Sequence, residues 1–157
     1  MQYPYVTQDL SAQESAAPEE TGDETRCGRT ILVAEDDGDI RQMMTTLLGM
    51  KGYRVVEARD GQETLDVAQK ERPDVVLMDL QLPRLNGFAV ARFMRQSDAL
   101  RRTPIVVVSA HDPAKHRNLA LAAGCNAYVQ KPIDFDRLNE LIVSLLPQEI
   151  RGQKSGR

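Results

Sequence analysis

Cysteine is scarce in this chain: its 157 residues hold only Cys27 and Cys125. Two thiols build neither a disulfide framework nor a metal cluster. Cys27 stands in a polar stretch. Cys125 follows Gly124 at an expected helix end and reads as a small packed residue rather than a reactive thiol. Both suit a reducing compartment. Long apolar runs are also missing, and none approaches the ~18 residues needed to span a bilayer. The opening residues, MQYPYVTQDLSAQESAAPEE, lack a basic stretch followed by an apolar one and do not read as a signal peptide. There is no GxxxxGK[ST] pattern, which excludes a P-loop nucleotide enzyme. The net charge is only -3, so nothing global points to nucleic acid. The expectation is a cytoplasmic protein with no membrane and no nucleic-acid partner.

Charge is nonetheless unevenly placed. Residues 1–28 carry six acids (Asp9, Glu14, Glu19, Glu20, Asp23, Glu24) against Arg26 alone. Residues 148–157, QEIRGQKSGR, carry one acid and three bases, which leaves 29–147 neutral. The first segment has few large apolar residues, so burial cannot offset its ordering entropy; a disordered acidic tail is expected over 1–28. The basic segment 148–157 has too few bases for a specific nucleic-acid reader.

From Arg29 the texture becomes regular. TILVA, YRVVEA, DVVLMD, TPIVVVSA and NAYVQ read as strands. Between and after them lie helical patterns. The first places Ile40, Met43, Met44, Leu47 and Leu48 at helical spacing, closed by Gly52. The second, GQETLDVAQKERP, stops at Pro73. GFAVARFMRQ and DPAKHRNLALAAG follow, and the last is DFDRLNELIVSLLP, with Asp134 as N-cap and Phe135, Leu138, Leu141, Ile142 and Leu145 on one stripe. Strict alternation of five strands and five helices, with strands apolar throughout, implies a parallel sheet covered on both faces: an α/β doubly wound fold over 29–147.

In such sheets sites form beyond the carboxyl ends of the strands. The first strand ends in Glu35, Asp36 and Asp37, the third in Asp79, the fourth in Ser109 and the fifth in Lys131. The second ends in Glu57 and Ala58, which suggest nothing. Gathered carboxylates repel, and a divalent cation relieves the repulsion; oxygen donors with one or two direct carboxylates suit Mg²⁺. A cation, a lysine and a hydroxyl around one carboxylate make a clamp for a transferring phosphoryl group, with the carboxylate as nucleophile. Asp37 reads as a helix cap. His111 and His116 have no ligand spacing to another His or Cys.

Four stretches, ILVAEDDGDIR, VVLMDLQLPRLNG, VVVSAH and AYVQKP, resemble the signatures of the response-regulator receiver domain of two-component signalling. The resemblance spans about 29–147 and implies a flavodoxin-like five-stranded sheet of order 2-1-3-4-5. It implies that Asp79 is the phosphoacceptor and that Asp36, Asp79 and the backbone carbonyl of Gln81 bind Mg²⁺, with Glu35 acting through a metal-bound water. It assigns Ser109 the switch hydroxyl, Lys131 a second phosphoryl contact, a cis Lys131–Pro132 bond, and Tyr128 the switch aromatic. Gln81 and His111, two residues beyond Asp79 and Ser109, would tune the lifetime of the phosphoryl group. A histidine kinase or phosphotransfer protein is the implied donor. A downstream protein would be the target, read by the fourth helix, fifth strand and fifth helix, a face through which two copies could also pair. Asn86 departs from the aspartate common before the loop glycine, with little consequence expected. Two other functions compete. An aspartate-nucleophile phosphohydrolase wants a carboxylate two residues after the nucleophile, where Gln81 cannot donate a proton. A phosphate-independent interaction module would not need the set Glu35, Asp36, Asp79, Ser109 and Lys131.

Overall fold

The computed structural model describes residues 28–147. The expected acidic tail (all but Gly28), Cys27 and the basic segment 148–157 lie outside the described residues. Within them all five strand–helix pairs form: β1 Thr30–Ala34, α1 Gly38–Met50, β2 Arg54–Ala58, α2 Gly61–Glu71, β3 Val75–Met78, α3 Gly87–Gln96, β4 Ile105–Ser109, α4 Pro113–Ala123, β5 Ala127–Gln130 and α5 Phe135–Leu145. The strands are parallel in the order β2-β1-β3-β4-β5.

Successive side chains of a strand point to opposite faces, and the core follows that rule residue by residue. Leu32, Val76, Met78, Ile105 and Val107 pack against Ala68, Val90, Met94 and Ala120 of α2, α3 and α4. Their neighbours Ile31, Val33, Val75, Leu77, Val106 and Val108 pack against Met44 and Leu48 of α1 and Leu138 and Ile142 of α5. This two-faced burial is why β1, β3 and β4 are apolar throughout. Burial on both faces fails for β2 and β5, which are only partly covered, because each stands at an edge with one neighbouring strand.

The helices follow the expected phases with two differences. Met43 is 45% exposed, although Met44 and Leu48 are buried; a step of one residue turns about 100° around a helix, and that carries Met43 off the core-facing stripe. The C-cap of α1 is Lys51, and Gly52 follows it in the left-handed region at φ +100. Asp134 caps α5 as expected, accepting from the amides of Asp136 and Arg137.

The β3–α3 loop is gripped at both ends by glycines. A Cβ on Gly87 would stand 2.9 Å from the Asp79 carbonyl oxygen, and one on Gly61 would run into the carbonyl of Leu85. The Gly61 amide donates to Pro83 at 3.0 Å and that of Gly87 to Leu80 at 2.9 Å. Leu80 and Leu82 are buried within the loop. The backbone that follows Asp79 is thereby pinned to the start of two helices.

Candidate functional site

Each site residue stands where a strand runs out. The ladder continues one residue past β1 and β3: the Glu35 amide donates to Ala58 at 3.1 Å and the Asp79 amide to Ala34 at 3.0 Å. These bonds fix two carboxylates side by side on adjacent strands. Glu35 is 3% exposed and Asp79 9%. Asp36 projects from the following loop and is exposed. One carboxylate oxygen from each of Glu35, Asp36 and Asp79 lies within 4.8 Å of the others.

Lys131 enters this group from the end of β5. Its ammonium donates to Glu35 Oε1 at 2.8 Å and to Asp79 Oδ2 at 3.3 Å. Its backbone amide bonds the carbonyl of Ser109 at 2.8 Å, and the Lys131–Pro132 peptide is cis. Asp79 Oδ1 accepts from the backbone N–H of Gln81 at 3.1 Å. Ser109 is fully buried, and its hydroxyl accepts from the amide of His111 at 3.1 Å. The Tyr128 hydroxyl donates to the His111 carbonyl at 3.0 Å, which links the aromatic to the loop that follows Ser109. The rings of His111 and His116 stack with centroids 4.6 Å apart. Asp37 caps α1, accepting from Asp39 and Ile40. Asn86 Oδ1 caps α3 by accepting from Ala89 at 3.0 Å, a role either Asn or Asp performs.

Two residues escaped the sequence reading. Arg41, on the first turn of α1, donates to the Glu35 carbonyl at 2.8 Å and pairs with Glu57 at 3.2 Å. Glu57 at the end of β2 therefore holds the arginine that steadies the β1–α1 loop. The signal was weak: only the register of β2 against β1 brings these positions together.

The electrostatics favour a cation. Burial raises the pKa of Glu35, and the charge of Asp79 pushes it further; hydrogen bonds from Lys131 and the Asp37 amide oppose this without cancelling it. Burial acts to lower the pKa of Lys131, but the hydrogen bond to Glu35 and the charge of Asp79 outweigh it, and the net shift is upward. One ammonium thus serves two buried carboxylates, and Asp36 brings a third negative charge. An acid whose folded pKa is raised contributes stability that is present below its ordinary value of 4.5 and lost as pH rises through the folded value. Lys131, shifted up from 10.5, holds its contribution until strongly alkaline pH and adds no slope near neutrality. Without metal, Glu35→Gln is therefore expected to gain stability relative to wild type as pH rises from the ordinary carboxyl value of 4.5 through the raised folded value. Melting curves across that range check it, and a difference that stays flat would sink the reading.

Over residues 31–143 the sequence matches the family described as response regulator receiver domain. The chain belongs to that family. As a receiver it is a phosphorylatable signalling domain. The polar-differentiation response regulator DivK of Brucella anthropi is 34% identical over 118 residues, which cover 75% of this chain and 96% of that protein. Among solved structures, the chemotaxis response regulator CheY4 of Vibrio cholerae is 31% identical with a TM-score of 0.71, covering 76% of this chain and 99% of that one. The receiver domain of the sensor histidine kinase PA1611 from Pseudomonas aeruginosa PAO1 is 32% identical, with the same TM-score, over 76% and 98% of the two chains. That domain was crystallised with a magnesium ion coordinated in its active-site cleft. The receiver described here brings Glu35, Asp36, Asp79 and Lys131 into one cluster, with Ser109 one backbone hydrogen bond away. Among its described residues, no helix is long and apolar enough to cross a membrane. Cys125 is buried, and its thiol is pushed up to about 11 by that burial, which fits a packed residue.

Proposed function

We propose that Asp79 accepts a phosphoryl group from a phosphohistidine of a histidine kinase or phosphotransfer protein, and that the receiver then signals to a protein target. The observation that carries the reading is the placement of Lys131 between Glu35 and Asp79, with Asp36 completing a rim of three carboxylates. In the transfer, an oxygen of Asp79 forms a bond to phosphorus as the phosphorus–nitrogen bond of the donor breaks, and the leaving imidazole takes up a proton. Water later cleaves the acyl phosphate, so the chain is consumed and restored and does not turn over an external substrate. Asp36 and Asp79, with the Gln81 carbonyl, would hold Mg²⁺, and Glu35 would hold one of its waters; bound there, the cation would offset charge on the phosphoryl oxygens. Lys131 would contact one of those oxygens once Asp79 is modified, and the Ser109 hydroxyl another. Gln81 and His111, two residues beyond Asp79 and Ser109, would set how long the phosphoryl group persists.

The switch is a population shift. Movement of Ser109 toward the phosphoryl group would pull on the His111 amide it now accepts from and, through the His111 carbonyl, on Tyr128. The change would be read at α4, β5 and α5, residues 113–146, where Leu119 is 57% exposed; pairing of two copies would use the same face. We place the receiver at 29–147, in the cytoplasm. Gln81 disfavours the phosphohydrolase reading, since an amide cannot serve as the general acid.

Magnesium titration tests the site. A ligand at a hundred times its Kd stabilises by about 2.7 kcal/mol, a rise in Tm on the order of 10 °C for a domain of this size. Asp36→Ala is expected to lose most of that rise. If the variant responded like wild type, the cation would be bound elsewhere.

A further inference from the structure

Two residues other than glycine hold a positive φ among the described ones: Arg72 at 47° and Arg84 at 71°. That region is unfavourable for a residue with a Cβ. Arg72 has a structural reason to be there. It is the C-cap of α2, its amide donates to Ala68 at 2.9 Å, and Pro73 follows. Arg84 caps nothing. It is the centre of a three-residue turn in the β3–α3 loop, closed by the Leu85 amide on the Pro83 carbonyl at 2.7 Å. A turn of this size with a positive φ at its centre is the rare, strained kind. The surroundings keep it from relaxing. Leu80 and Leu82 anchor the loop in the core. The Gly61 amide holds the same Pro83 carbonyl at 3.0 Å, and Leu85 lies against Gly61 with no room for a Cβ. Asparagine would occupy the position at less cost. Strain retained where a shorter side chain would relieve it points to a use for the arginine.

The guanidinium is available for that use. Arg84 is exposed, and among the described residues it forms no ion pair. Its loop leaves β3 at Asp79 and enters α3 at Gly87, so it stands at the same edge of the sheet as the carboxylate rim. Arg41 and Arg59 of that edge are engaged by Glu57 and Glu63. Lys131 is held by Glu35 and Asp79. A phosphoryl donor is an anion, and the rim it must reach sets Glu35, Asp36 and Asp79 against that one ammonium. Like charge slows the approach, and a fixed, unpaired cation beside the rim offsets part of the repulsion.

We propose that Arg84 steers anionic phosphodonors to Asp79. The proposal rests on the acceptor role of Asp79. Steering needs charge rather than contact, and it acts over a Debye length, about 10 Å at 0.1 M salt. It raises the rate of encounter and leaves the chemical step alone. Lysine is therefore expected to serve as well as arginine.

The test follows labelling of the whole chain by acetyl phosphate, a dianion, at saturating Mg²⁺. Near 20 mM salt and with donor below saturation, Arg84→Asn is expected to lower the rate about threefold and Arg84→Glu about tenfold. Arg84→Lys is expected to stay within about twofold of wild type. The losses are expected to fade near 1 M salt, where the Debye length falls to about 3 Å. Arg102→Glu makes the same change of net charge as Arg84→Glu, but in the loop that enters β4 at the opposite edge of the sheet. It is expected to label like wild type. Arg84→Asn is also expected to melt no lower than wild type, because asparagine tolerates the left-handed region. A lower Tm would mean that the arginine serves the fold, and would overturn the proposal. So would an Arg84→Asn rate equal to wild type, a loss that persists at high salt, or an equal loss in Arg102→Glu. If wild type itself took up no phosphoryl group, Asp79 would fall as acceptor and this proposal with it.

Discussion

Asp79→Asn is expected to take up no phosphoryl group from acetyl phosphate or from a phosphorylated kinase, a loss of at least about 10³-fold in the rate of labelling. The amide lacks the anionic oxygen that attacks phosphorus. The substitution should not disturb the fold, because an asparagine Oδ1 can still accept from the Gln81 amide as Asp79 does at 3.1 Å. It also removes the charge that helps raise the Glu35 pKa, so metal-free stability at neutral pH should not fall. Labelling is read by mass, a gain of one phosphoryl group per chain that hydroxylamine removes. A variant that labelled as fast as wild type would move the acceptor to another residue.

Lys131→Ala should have the largest effect on stability. Its ammonium is the cationic partner of Glu35, 2.8 Å away and 3% exposed, and lies 3.3 Å from Asp79. Breaking such a pair leaves an uncompensated buried charge and costs about 3 kcal/mol. The loss should be largest without metal and near neutral pH. It should shrink on acidification, because protonated Glu35 needs no counter-charge, and a saturating divalent cation should restore part of it. Denaturant unfolding at about pH 5 and about pH 7.5, with and without Mg²⁺, reads all of this. Equal losses under all conditions would mean that Lys131 contributes packing rather than charge.

Much of the site was legible because strand ends are legible. An apolar run that stops on Asp79, or on Glu35 and Asp36, announces both the element and the edge at which the carboxylates stand. What stayed hidden depended on register across strands. Glu57 looked inert until β2 paired with β1 and set it against Arg41. Nothing in the helical pattern GFAVARFMRQ singles out Arg95, yet it fastens two helices and a loop through five hydrogen bonds.

The chain's own pattern determined the alternation of elements, their caps and the type of chemistry, because period, capping side chains and donor types are local properties. Only the tertiary structure decided that one ammonium would be shared by Glu35 and Asp79, and that Arg95 would tie the end of α3 to the end of α4. Such distances come from packing residues far apart in the chain, and they alone convert a set of charges into an electrostatic field.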